Sequence, residues 1–156
     1  MELLQALSEW PVAVALRRST IAYILVNAAH IFFIGLLVGS IVTLDLRIFG
    51  LFKRFPLAVL GPPLQHMAAA GIVLATLTGF LLFSVRPATY IQNTAFLTKI
   101  GVVGLGIANA LLINRSPQWR HALASGEITV PLRIAALLSV GFWAGAVIAG
   151  RWIGFL

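Results

Sequence analysis

Residues Ile21–Leu44 read IAYILVNAAHIFFIGLLVGSIVTL, without an Asp, Glu, Lys or Arg. Arg17-Arg18 precede the run and Asp45-Leu46-Arg47 close it. About 20 consecutive apolar residues suffice for a helix to cross the hydrocarbon core, so this run is a first transmembrane span. Three more fit the same rule, at about Leu64–Phe83, Ala95–Ile113 and Leu132–Ile153. Gly61-Pro62-Pro63 leads into the second and Pro131 opens the fourth. Proline suits a helix start, where its missing N–H has no intrahelical partner anyway. Each span is helical, because lipid satisfies no backbone hydrogen bonds. The connections 45–63, 84–94 and 114–131 leave no room for an extramembrane domain. The expected fold is all-α, a polytopic membrane protein with one domain over 1–156. Its spans form an up-down four-helix bundle with consecutive helices as antiparallel neighbours.

The composition agrees. Of 156 residues, 60% are hydrophobic and 10% charged, against about 25% charged in soluble domains. Mean hydropathy is +1.01. The lipid bilayer is therefore the expected partner. The net charge of +7 does not imply nucleic acid, because the basic residues cluster between the apolar runs, where they set topology. Arg47, Lys53, Arg54, Arg115, Arg120 and Arg133 fall on one side; Arg17, Arg18, Arg86 and Arg151 fall on the other, with Lys99 just inside. The richer side is expected to be cytoplasmic, with both termini outside. With no cysteine, disulfides, thiolate metal sites and cysteine catalysis are excluded. Met1–Ala15 does not read as a secretory signal. Leu3, Leu4, Leu7 and Trp10 give it an apolar face at helical spacing, suited to the membrane interface.

Polar groups inside a span are costly and mark function by default. His30 lies near mid-bilayer, with Tyr23 and Asn27 on the same side of its helix and Asp45 several turns further on. That stripe is expected to face the bundle interior. His30 then serves as a haem axial ligand or proton acceptor, oriented by Asn27 or Tyr23, or as a neutral histidine bonded across helices. His66 sits near the start of the second span, about 10 Å or more from the depth of His30 at 1.5 Å per residue, which speaks against one shared bis-histidine iron. Lys99 either neutralises an acidic ligand group or snorkels to the interface. Arg133 and Arg151 share a helix face at opposite ends of the fourth span, and Asp45 is a partner for Arg133. Asn109 and Asn114 are interhelical hydrogen-bond groups or caps, and His121 is solvated. No carboxylate is expected at mid-membrane, which speaks against a proton-driven transporter.

Gly35 and Gly39, Gly141 and Gly145, and Gly150 and Gly154 form GxxxG pairs, which let helices approach closely. Trp10, Tyr90, Trp119 and Trp152 are placed at span ends as headgroup anchors.

The run from His30 through Gly35, Gly39 and Asp45-Leu46-Arg47 to Gly50 resembles the first helix of an uncharacterised family of small bacterial four-helix membrane proteins. Thr78-Gly79-Phe80-Leu81-Leu82-Phe83, Phe96-Leu97-Thr98-Lys99 and Ala149-Gly150-Arg151-Trp152-Ile153 extend that likeness over nearly all the chain. A looser likeness joins His30, Gly35, Arg47 and Lys99 to the HemJ-type protoporphyrinogen oxidases, with Leu44-Asp45-Leu46-Arg47 standing where that group carries Pro-Arg-Leu. It implies tetrapyrrole binding. The helix pattern is also similar to CopD-type copper-resistance proteins, although two methionines supply little soft sulfur for copper.

The resulting expectation is a small bacterial inner-membrane protein, haem-binding or redox-associated, holding haem b. His30 would be the metal ligand, Asn27 or Tyr23 its orienting groups, and Lys99 or Arg151 the partners of the propionates; His66 is the remaining cofactor-binding residue. One alternative is a structural subunit, as a homo-oligomer or within a larger membrane complex. A third is a small transporter or channel with a path lined by Tyr23, Asn27 and His30.

Overall fold

The computed structural model describes residues 2–155. They form eight helices in the order α1 Glu2–Glu9, α2 Pro11–Arg18, α3 Thr20–Phe49, α4 Leu57–Val85, α5 Pro87–Gln92, α6 Thr94–Asn114, α7 Pro117–Ser125 and α8 Val130–Trp152. Four of these, α3, α4, α6 and α8, are long and apolar enough to cross a membrane. The chain is an all-helical, multi-pass membrane protein.

The ends of the spans follow local chemistry. The Ser19 hydroxyl caps α3 by accepting from the Ala22 N–H at 3.2 Å. Asn93 does the same for α6 through Phe96, and Ser116 for α7 through Trp119. These caps satisfy N–H groups that a helix start leaves free. Gly50, at φ 104°, ends α3 in the left-handed region that a side chain disfavours, and its N–H returns to the Arg47 carbonyl.

Two boundaries differ from the expected ones. The first span continues through Asp45 and Arg47 to Phe49. At 1.5 Å per residue its helix is about 45 Å long, beyond the about 30 Å of hydrocarbon. The second span begins at Leu57, so Pro62 and Pro63 lie inside it. Each removes an N–H from the helical ladder, leaving the Ala58 and Val59 carbonyls without their usual partners. Both residues are exposed, near the helix end where headgroups and water reach.

The spans pack as an open C. α3 lies along α4, α6 lies along α8, and α3 meets α8. Among the described residues, α4 and α6 make no backbone approach within 8 Å, although they are consecutive spans. The short helices explain this. α5 and α7 each touch both α4 and α6 and act as spacers at the two ends. At the α5 end, Phe83, Tyr90 and Phe96 fill the gap, with Phe83 and Phe96 stacked at 5.5 Å. At the α7 end, Trp119 packs with Ile48, Leu57, Ala122, Leu132 and Ala136 in the buried core.

Glycine sets the closest contacts outside the three expected pairs, of which Gly145 and Gly150 meet only the Val102 and Lys99 side chains, at 3.6 and 3.4 Å from a β-carbon. A β-carbon on Gly71 would meet the Leu37 backbone nitrogen at 2.8 Å, and one on Gly106 would meet the Trp143 ring at 3.1 Å. Gly35, Gly39 and Gly141 have nothing within 4 Å of a β-carbon. The N-terminal segment is helical and folds back on the bundle. α2 buries Ala13 and Leu16 against α3 and α4, and Trp10 lies 6.4 Å from the Phe80 ring.

Candidate functional site

The gap between α4 and α6 continues inward as a cavity of about 200 Å³. Its walls are apolar, with Leu37 and Ile41 from α3, Ile72 from α4 and Ile107 from α6. Trp119 lines it from α7; this ring is only 4% exposed, so it is a core residue and not the headgroup anchor expected from sequence. The mouth is crossed by one hydrogen bond, from Gln65 Nε2 on α4 to Asn114 Oδ1 on α6, at 2.7 Å.

Two polar groups in this cavity have no partner. Asp45 is 5% exposed and Trp143 is 3% exposed. Asp45 Oδ2 and Trp143 Nε1 both lack a hydrogen bond, as does Thr129 Oγ1, which lies outside the cavity. Ser139 stands beside the Asp45 carboxyl. An unmatched buried polar group costs about 1–3 kcal/mol, and more when charged. Both residues line the cavity, while the two unmatched atoms themselves are enclosed by protein.

The expected partner of Asp45 does not reach it. Arg133 is exposed, and among the described residues no Lys or Arg pairs with a carboxylate; the one contact of that kind is between His121 and Glu127 at 3.2 Å. Helix continuation explains the difference: with Asp45 inside α3, its side chain points into the bundle, while Arg133 turns outward. Arg47 is buried but donates from Nε to the Phe55 carbonyl at 2.8 Å, tying down the first loop. Asn109 bonds across to α8, donating to the Ala135 carbonyl at 3.0 Å.

The residues of the expected histidine site are dispersed. His30 is half-buried and bonds through Nδ1 to Thr78 Oγ1 on α4 at 3.0 Å. Thr78 Oγ1 lies within donating distance of the Leu74 and Ala75 carbonyls, at 2.7 and 3.2 Å; when its hydrogen goes to either, the His30 Nδ1–H is the donor of the pair and Nε2 keeps its lone pair. A β-carbon on Gly79 would meet His30 Cε1 at 2.9 Å. Thr78 and Gly79 thus orient the ring, in the place expected of Asn27 or Tyr23. Asn27 is exposed, and Tyr23 faces Tyr90 of α5, whose phenol burial pushes up to about 12. His66 is exposed and lies twelve positions before Thr78 on the same helix, about 18 Å at 1.5 Å per residue. Lys99 rests on Gly150, with Nζ 3.4 Å from a β-carbon there, and comes within electrostatic range of His30. Arg151 is exposed and stacks on Phe155 at 4.7 Å. His30 does not line the cavity. Among the described residues, no three His, Asp or Glu side chains come together as a metal site.

Trp143 escaped the sequence reading. Its signal was position: tryptophan in membrane helices gathers at the interfaces, whereas Trp143 sits at the middle of its span. No protein family, no curated protein and no solved structure matches this chain.

Proposed function

We propose that this protein takes up a small, largely apolar molecule from the bilayer into the cleft between α4 and α6. The observation that carries this is an apolar cavity of about 200 Å³ whose lining includes the buried residues Asp45 and Trp143. Ligand sites combine apolar walls with a few placed polar groups, and this one is below the about 300–1,000 Å³ of drug-sized pockets. The mouth between α4 and α6 gives a bilayer-dissolved molecule a lateral route. Thermal unfolding in detergent tests this with benzyl alcohol as probe. Ligand binding to the folded state raises Tm. A saturable rise that is lost in Ala68→Phe, which fills the cavity from its α4 wall, supports the proposal. No rise up to the probe's solubility sinks it.

A second reading keeps haem b on His30. It is favoured by the free lone pair of Nε2 opposite an anchored Nδ1, the arrangement in which histidine ligates metals. Lys99 supplies a cation nearby. Haem would add redox chemistry. His30 lies outside the cavity, so the macrocycle would sit at the outer face of the spans, against another subunit. A Soret band in the purified protein that disappears in His30→Ala supports this; its absence after haem-supplemented expression removes it.

Lys53, Arg54, Arg115 and Arg120 support a reading in which the cleft end of the bundle faces the cytoplasm of a bacterial inner membrane and the termini are periplasmic. The exposed Asn27, Gly35 and Gly39 of α3 favour a further helix there, from a second copy or a larger complex.

A further inference from the structure

We propose that Asp45 is a proton-binding site: the folded chain holds its carboxyl as the neutral acid, and release of the proton loosens the contact between α3 and α8 at the base of the cleft. This stands apart from what the cleft takes up, because it rests on the protein's own side chains.

The argument begins with charge. Asp45 is 5% exposed, and its Oδ2 is enclosed by protein without a hydrogen-bond partner. A buried carboxylate needs a cation or several donors, and without them the group keeps a proton instead. The elements packed around it supply neither. On α3, Arg47 gives its Nε–H to the Phe55 carbonyl. In the first loop, Lys53 folds over Gly50, and Arg54 lies over the Phe55 ring at 4.8 Å. The one titratable side chain of α4 is His66, which is exposed. On α6, Lys99 rests on Gly150, ten positions before Asn109, about 15 Å along that helix. On α7, Arg120 is exposed and His121 lies against Glu127 at 3.2 Å. On α8, Arg133 is exposed and the Trp143 N–H makes no hydrogen bond.

Position and neighbours agree. Asp45 stands four residues before the end of α3, where unpaired carbonyls carry a partial negative charge that disfavours a carboxylate. The Ser139 hydroxyl of α8 stands beside the carboxyl. A hydroxyl both donates and accepts, so it can take the O–H of the neutral acid. To a carboxylate it offers one donor, too few for a buried charge. The neighbouring cavity wall is hydrocarbon, from Ile41, Leu44 and Leu132, and solvates no ion.

Loss of the proton therefore has a structural consequence. It removes the O–H shared with Ser139 and leaves a charge that only water can solvate. The end of α3 is one turn away, so water meets the carboxylate there once α3 and α8 part, and the proton leaves to that water.

The test uses carbon-13 NMR of the detergent-purified full chain. Asp45 is the only aspartate, so labelling the aspartate γ-carbon gives one carboxyl resonance. At mildly acidic pH, above the range in which free aspartate ionises, it is expected at the position of a protonated acid. Linkage gives a second readout. In that pH range the unfolded chain has released this proton and the folded chain has not, so stability falls as pH rises until the folded carboxyl ionises too. Wild-type Tm should drop across this range by several degrees more than that of Asp45→Asn, whose neutral amide keeps the shape and does not titrate. Once the carboxyl ionises, amide exchange in α8 around Ser139 should quicken several-fold beyond its intrinsic pH dependence, in wild type and not in Asp45→Asn. The wild-type resonance needs no variant, so it decides the protonation state even if Asp45→Asn fails to fold. A carboxylate resonance at mildly acidic pH overturns the proton-binding site. An acid resonance whose ionisation leaves exchange in α8 unchanged overturns the loosening.

Discussion

A β-carbon on Gly71 would stand 2.8 Å from the backbone nitrogen of Leu37, so α3 and α4 meet with no room for a methyl group. Gly71→Ala must push the two helices apart. Overpacking of this kind costs about 1–3 kcal/mol. Unfolding in detergent should show that loss, while Gly39→Ala, with nothing within 4 Å of the added atom, should not destabilise the monomer and gains up to about 1 kcal/mol from helix propensity. Equal effects would contradict the packing described.

Trp119 separates two roles by magnitude. As a headgroup anchor it would tolerate truncation with little loss. As a buried ring 3.4 Å from where a β-carbon on Gly61 would stand it should cost about 3–5 kcal/mol on conversion to alanine. Denaturant titration of Trp119→Ala beside Trp152→Ala, whose ring is exposed, distinguishes the two, and Trp152→Ala should be the milder variant.

Thr78→Val removes the acceptor of the His30 Nδ1–H without changing side-chain shape. The expected loss is about 0.5–1.5 kcal/mol, the net worth of one hydrogen bond to a half-buried group. Asn27→Ala should leave the His30 ring undisturbed, because Asn27 is exposed. The imidazole NMR resonances of the two variants check this: those of His30 should move in Thr78→Val and stay in Asn27→Ala.

Gln65 and Asn114 join α4 to α6 across the mouth of the cleft. Both are partly accessible, so Gln65→Ala should lower stability by no more than about 1.5 kcal/mol. It should speed the release of benzyl alcohol several-fold, seen as narrower exchange-broadened ligand resonances. An unchanged release rate would mean that this bond does not close the mouth.

Span number and helical class were legible from apolar run length alone, because the bilayer imposes both. The ends of α3 and α4 were not. Asp45 and Arg47 look like a stop signal, yet both are buried in the helix, and Pro62-Pro63 look like a start but lie inside α4. The polar stripe of Tyr23, Asn27 and His30 was read from one helix in isolation. Which face turns inward depends on the neighbours, and the spacers α5 and α7 moved α6 away from α4. The cleft was invisible for the same reason. Asp45 and Trp143 are far apart in sequence, and no local period joins them; only the meeting of α3 with α8 does.

The most direct measurement is a crystal of the purified protein soaked in bromobenzene, with the bromine located by anomalous scattering. The account predicts a bromine peak inside the bundle, between Ile41, Ile72, Trp119 and Trp143. Peaks confined to the lipid-facing surfaces, with the space beside Asp45 filled by protein side chains, would contradict it.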